Sequence, residues 1–305
     1  MVAGTASLYL TVRVASFPLE YQPQLRPQEM QLGVAGTGIH VARALRALGD
    51  EARLCTIVGA DPPGAAIRAE LDAAGLAGPE VVTGPHSSLG AVLVGPDGER
   101  MGMPYLVQVE REDYPAETFA QALAGADLAV LTTAGFVRPL VDEAAQAGVP
   151  VAVDAHLIAD IHDEYCRPWL QLADILFCSH EQLPCAPTEW IRRVFAEYSC
   201  GIAAVGQGAT GCTLGLRDGR LVQVAAVAPR GVRNTSGAGD ALFASFLHSW
   251  LASGNPVEAL ESAVLYAGWK VGAPVPAEVH PTAADLARLR AAHQVRAVLG
   301  RWDQS

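Results

Sequence analysis

Lysine is nearly missing from this chain: Lys270 is the only one in 305 residues, so the basic side chains are almost all arginine. The lone lysine is followed by Val271, which excludes a P-loop, because that motif needs Gly-Lys-Ser or Gly-Lys-Thr for the amine to reach the β and γ phosphates. Alanine and glycine are abundant beside it, and the skew reads as genome composition, not thermal adaptation. Positive charge is short as a whole. With 21 basic against 32 acidic residues the net charge is −11, which argues against nucleic acid or an anionic membrane as partner and favours a small neutral or locally neutralised substrate. No apolar run approaches the ~18 residues needed to span a bilayer. The six cysteines (Cys55, Cys166, Cys178, Cys185, Cys200, Cys212) fall at no metal-ligand spacing, and the N-terminus lacks the features of a secretory leader, so a reducing cytoplasm is expected.

What is present is a globular composition, 50% hydrophobic and 17% charged, arranged in two regimes. Early in the chain Ser7 to Val14 alternates like a strand, and Gly95-Pro96-Asp97-Gly98 between Gly90 to Val94 and Arg100 to Leu106 reads as a β-hairpin. From Ala126 onward short apolar strands alternate with helical segments, the pattern of a parallel sheet covered on both faces. Neither a linker nor an internal repeat interrupts the chain. The expectation is one α/β domain over residues 1–305 with a small antiparallel accessory layer.

Asn234-Thr235-Ser236-Gly237-Ala238-Gly239-Asp240 runs straight into the apolar segment Ala241 to Trp250. A Gly-Ala-Gly turn feeding a helix leaves backbone N–H groups free at the positive end of the helix dipole, and Asp240 sits in the first turn beside any anion held there. That is a phosphoryl-transfer layout. A merely capped helix would leave unexplained the two glycines flanking one alanine before a carboxylate. Gly206-Gln207-Gly208-Ala209-Thr210-Gly211 matches a dinucleotide fingerprint letter for letter, yet Cys212 to Leu216 after it reads as a strand, so a glycine turn between adjacent strands is expected. The run Gly33 to Gly38 precedes a helix with Arg43 and Arg46 on its polar side; alone it is consistent with a second anion cradle, a sharp turn or a surface for a sugar hydroxyl. Asp154 ends an apolar strand, where open α/β sheets place ligand-facing groups, while the ligand-rich segment after it reads as a solvated loop and helix start.

Taken together, Phe17-Pro18, Gly36-Thr37-Gly38, Gly59-Ala60-Asp61, the hairpin, Gly208 to Gly211 and Asn234 to Phe243 make the chain resemble the ribokinase-like superfamily, the PfkB carbohydrate and nucleoside kinases. The resemblance implies a three-layer α/β sandwich with a mostly parallel central sheet and a small β-sheet lid, its strands from about residues 11–33 and 90–106. It implies an ATP- and Mg²⁺-dependent kinase that phosphorylates a primary hydroxyl of a small sugar or nucleoside. Asp240 would be the general base, and the amides of Gly237, Ala238 and Gly239 the anion hole. Asn234, Thr235, Gly208 and Gly211 would lie by the nucleotide, with adenine near the helix Val257 to Gly268. Tyr9, Gly36, Thr37, Gly38, His40 and Asp154 would face the acceptor. A homodimer through the lid is also implied.

The departures from the family pattern carry information. Tyr9 and His40 stand where sugar kinases often carry Asp and Asn, which disfavours ribose and suits a nucleoside or a modified sugar. Asn234 replaces the first Asp of the motif. The element that organises magnesium aligns with Ser179-His180-Glu181-Gln182, leaving Glu181 as the nearest carboxylate for the metal. These changes motivate a second reading, a catalytically weak ribokinase-like binding or regulatory protein.

Overall fold

Unbroken apolar strands need cover on both faces, and the large sheet receives it. In the computed structural model, which describes residues 1–273 and 280–303, the chain starts that sheet with β1 (Val2–Ala3). It leaves for a smaller sheet with β2 (Ser7–Arg13) and β3 (Glu29–Ala35), returns with β4 (Leu54–Gly59) and β5 (Val81–Gly84), and leaves again with β6 (Ser88–Val94) and β7 (Arg100–Tyr105). The remaining strands, β8 (Ala129–Thr132), β9 (Val151–Leu157), β10 (Ile175–Ser179), β11 (Ile202–Gly206), β12 (Cys212–Leu216), β13 (Arg220–Val224) and β14 (Ala297–Arg301), all join the large sheet. Among the described residues its order is β14-β13-β12-β11-β10-β9-β8-β1-β4-β5, parallel from β11 to β5 and antiparallel across the other edge.

Successive residues of one strand enter different cores, as the pleat requires. Val151 and Val153 pack on one face with the helices Ala116–Leu123, Arg167–Leu172 and Pro187–Glu197, whereas Ala152 packs on the other with Thr37–Leu48, Ala238–Ser253 and Pro256–Lys270. Phe177 of β10 stacks on Phe243 and Phe246, with ring centroids 5.0 and 5.1 Å apart, and this fastens the helix that follows the glycine motif to the sheet. Burying each such ring contributes about 1.5–3 kcal/mol.

The small sheet corrects one expectation. Its order is β3-β2-β6-β7, and its central pair, β2 with β6, is parallel, so the layer is mixed. The chain makes a long excursion through the large sheet between those strands, which permits a parallel pairing that no hairpin allows. The first two strands of the small sheet also begin and end differently from the expected 11–33 span, at Ser7–Arg13 and Glu29–Ala35. Register puts Tyr9, Thr11, Arg13, Gln31, Gly90 and Arg100 on one face, while Met30, Leu32, Leu89, Met101, Met103 and Tyr105 share the opposite face, all exposed. Two further departures are local. The segment Val137 to Ala147 opens as a 3₁₀ turn, Gly135–Leu140, because Pro139 lies inside it. Strand β9 runs on to Leu157, where a solvated loop and helix start were expected after Asp154.

Candidate active site

The helix Ala238–Ser253 begins at the end of the sheet where the parallel strands β9, β10 and β11 finish, the usual ligand edge of an open α/β sheet. Gly237 caps it with φ of 73°, a left-handed conformation that favours glycine. Ahead of it the Asn234 side-chain oxygen accepts the Ser236 N–H at 2.9 Å, an Asx turn that shapes the approach. The Ala238 N–H donates to Thr235 O at 3.2 Å. Asp240 lies in the first turn and is 8% exposed. Burial pushes its carboxyl up to about 7; beyond that dominant effect His156 lowers it, Asp154 raises it, and Arg100 and Lys270 lower it.

Asp154 has the same strand parity as Ala152, so it faces the side covered by Thr37–Leu48, Ala238–Ser253 and Pro256–Lys270. There Asp154, His156 and Asp240 bring ligand-capable atoms within 4.8 Å of one another. Asp154 is buried and holds His156 twice, accepting its backbone N–H at 2.9 Å and lying 3.2 Å from ring Nδ1. His156 has φ of 51°, a conformation that a residue other than glycine adopts at a cost of about 1–3 kcal/mol. Sequence reading set His156 in the ligand-rich segment taken for a solvated loop, whereas strand β9 runs through it and brings it to Asp154 and Asp240.

The first helix, Thr37–Leu48, converges on the same point. Gly36 precedes it with φ of 122°, and a side chain at Gly38 would meet the Gly4 backbone at 2.5 Å, so the Gly36-Thr37-Gly38 run lets the helix end press against the chain leaving β1. Three residues on, the His40 ring lies beside Gly237, 3.5 Å from where a Cβ would stand. The two glycine-rich helix starts therefore meet. His40 is buried, its Nδ1 has no hydrogen-bond partner, and burial together with the charges of Lys270, His280, Arg43 and Arg100 holds its pKa well below the usual imidazole value. Arg43 corrects an expectation: it is buried, not on a polar face, with its guanidinium on Glu70 at 2.7 Å and Val34 O at 3.3 Å. Lys270, 1% exposed, ends the helix Pro256–Lys270 within electrostatic range of Asp240, and burial lowers its amine to about 8.

The small sheet covers this site. Tyr9 packs over Gly90, where a side chain would lie 2.1 Å from its ring, and its hydroxyl is raised by burial and then by the charge of Asp240. Thr11, Arg13, Glu29, Gln31 and Val94 share a recess with Asn234. The hairpin tip is tied down: Thr235 Oγ1 donates to Gly98 O at 3.2 Å, and Arg13 donates to Gly95 O at 3.2 Å and Arg233 O at 3.4 Å. Away from Asp240, Gly208 and Gly211 flank a 3₁₀ turn joining β11 to β12, the expected glycine turn between adjacent strands. Gly211 is required there, with φ of 108° and the Val224 carbonyl 2.0 Å from a Cβ position. His180 Nδ1 lies 3.1 Å from Gly206 O, which sets the turn bearing exposed Glu181 beside this loop.

A profile of pfkB family carbohydrate kinases matches residues 1–283. The chain belongs to that family. A curated relative, the ATP-dependent ribose-1-phosphate kinase of Halopiger xanaduensis, is 30% identical over 273 residues, 86% of this chain and 88% of the relative. Of the solved structures, the microbiome-derived acarbose kinase Mak1 superposes with a TM-score of 0.85 at 23% identity, covering 95% of this chain and 97% of that one. The Burkholderia thailandensis nucleoside kinase in complex with inosine superposes with a TM-score of 0.77 at 21% identity, covering 95% and 97%. This PfkB kinase is thus a phosphotransferase with an alcohol acceptor, on a ribokinase-like α/β sandwich with a separate small sheet.

Proposed function

We propose that the protein transfers the γ-phosphoryl group of ATP to a primary hydroxyl of a small sugar or nucleoside, with Asp240 as general base. The observation that carries this reading is the buried Asp240 carboxyl, raised to about 7 in the first turn of a helix capped by left-handed Gly237. A base with its pKa near the working pH combines a useful deprotonated fraction with real proton affinity. In the reaction Asp240 takes the proton of the acceptor hydroxyl, the oxygen forms its bond to the γ phosphorus, and the bond from that phosphorus to the β,γ-bridging oxygen breaks as ADP leaves. The N–H groups of Gly237, Ala238 and Gly239 meet the equatorial oxygens of the phosphoryl in transit, and the Ala238 N–H gives up its long bond to Thr235 O to do so.

The acceptor lies between Tyr9 of the lid, the helix start at Gly36, Thr37, Gly38 and His40, and Asp154 of β9. The nucleotide lies along Asn234, Thr235, Gly208 and Gly211. Mg²⁺ accompanies the nucleotide phosphates. An exposed single carboxylate such as Glu181 suits an ion that keeps most of its waters, and the metal's chemistry is to neutralise phosphate charge. The six cysteines are all free, as a reducing cytoplasm requires, and among the described residues no helix is long and apolar enough to cross a membrane. The exposed apolar face of the lid serves as a homodimer interface.

Incubation with Mg-ATP and a panel of sugars and nucleosides, followed by ADP release, tests the reading. Wild type is expected to turn over at least one acceptor, and Asp240→Asn to lose about 10²-fold or more. Equal background from both proteins on every acceptor would favour a non-catalytic binding protein.

A further inference from the structure

A buried base must give up each proton it takes before it can act again. Asp240 is 8% exposed, and an acceptor seated over it closes the carboxyl further. The charged and titratable groups that act on it or respond to it are Asp154 and His156 from β9, Arg100 from β7, Lys270 from the helix Pro256–Lys270 and Tyr9 from β2. His40 of the first helix stands beside Gly237, three residues before it. Most of these cannot carry a proton out. An arginine guanidinium stays protonated at any working pH. Lys270 and His40 are 1% and 4% exposed, and the Tyr9 hydroxyl, raised above its ordinary value, already holds its proton. Of these groups only His156 joins a basic nitrogen to solvent: its side chain is 31% exposed, against 8% for Asp154.

Its ring is also held in place. Asp154 accepts the His156 backbone N–H at 2.9 Å and lies 3.2 Å from Nδ1, which sets the ring hydrogen on Nδ1 and leaves Nε2 as the basic nitrogen. Ligand-capable atoms of His156 and Asp240 lie within 4.8 Å of each other, a span that a hydrogen bond or one intervening water closes. The left-handed backbone at His156 is strain of the kind that persists where neighbours enforce a geometry.

We propose that His156, oriented by Asp154, relays the proton of the acceptor hydroxyl from Asp240 to solvent. The proposal rests on the kinase reading above and adds a positioning residue to it. Once Asp240 has taken the proton, its O–H bond breaks as an Nε2–H bond forms. The product is an imidazolium, with Nδ1–H still on Asp154, and an Asp240 carboxylate ready for the next acceptor. The imidazolium then loses its Nε2 proton to water or buffer, and the site returns to its starting charge.

His156→Gln and His156→Gly test this on an acceptor that wild type turns over. Glutamine keeps an N–H for Asp154 but cannot carry a proton, and glycine suits the φ of 51° while leaving room for free imidazole. An equal thermal shift with ATP in all three proteins shows that the variants are folded. In weak buffer kcat should fall about ten- to a hundredfold in both variants. The ratio kcat/KM for the acceptor should change little, because the lost step follows the transfer. Rapid quench should show a first turnover at the wild-type rate and slow turnovers after it. Imidazole should restore the kcat of His156→Gly in proportion to its neutral form. Wild-type kcat in His156→Gln, or a loss of kcat/KM that imidazole does not relieve, would assign His156 to the fold or to acceptor binding; the relay then fails while the kinase reading stands. An Asp240→Asn protein as fast as wild type, or no turnover of any acceptor by wild type, would remove both.

Discussion

Asp240 joins catalysis to stability through a single proton. Its folded pKa of about 7 lies above the ordinary carboxyl value of about 3.9. Between those values the folded chain holds a proton that the unfolded chain has released, so folding loses stability as pH rises through about 4 to 7. Asp240→Asn has no such slope. The variant should melt close to wild type near pH 4.5 and above it at pH 8, by several degrees, since each kcal/mol moves Tm by about 2–4 °C in a large domain. Parallel Tm curves across that range would contradict a buried, raised carboxyl. Catalysis runs the other way: the deprotonated base is required, so kcat/KM for the acceptor should fall below an apparent pKa of about 7. A pH–rate profile flat from 6 to 8 would remove Asp240 as the titrating base.

At the scale of elements, the site depends on how closely the first helix approaches β1. Alanine normally favours a helix over glycine by about 1 kcal/mol. At Gly38 that gain is reversed, because the added Cβ would sit 2.5 Å from the Gly4 backbone, which has no flexible end to move. Gly38→Ala should therefore destabilise by about 1–3 kcal/mol and displace His40, raising acceptor KM more than KM for ATP. Denaturant unfolding and the two KM values check it, and a neutral or stabilising substitution would show that the contact gives way. The helix starts were legible in sequence because glycine, small residues and a first-turn carboxylate have local causes. Arg43 was not, because its burial comes from Glu70 and the Val34 carbonyl, which approach from other elements. His156 was hidden for the same reason, its partner Asp240 being far away in sequence. The edge strand β14 went unread as well: Val298 and Leu299 are exposed and carry little of the burial signal that marks a central strand.

Over the whole molecule, the large parallel sheet was readable from its apolar runs, whereas the pairing of β2 with β6 was not, since register between distant strands leaves no local mark. The resulting lid has one face on the site and one that is exposed at Met30, Leu32, Met101 and Met103 but buried at Val12 and Val34. Leu32, on the edge strand β3, is 66% exposed on that second face. If two copies meet there, sedimentation at micromolar concentration should give a dimer for wild type and a monomer for Leu32→Glu, with the fold intact because the side chain touches no core. A monomeric wild type would leave the apolar face without this explanation.

Apart from the chain's α-amine, Lys270 is the only amine the chain offers, and it is 1% exposed. An amine-directed acylating reagent therefore has one side-chain target, reached only when the end of its helix opens. The intact mass of the protein, followed over time in such a reagent, becomes a clock for that opening. Nucleotide or acceptor bound beside Asp240 should slow it, so the clock reads ligand occupancy without any engineered label.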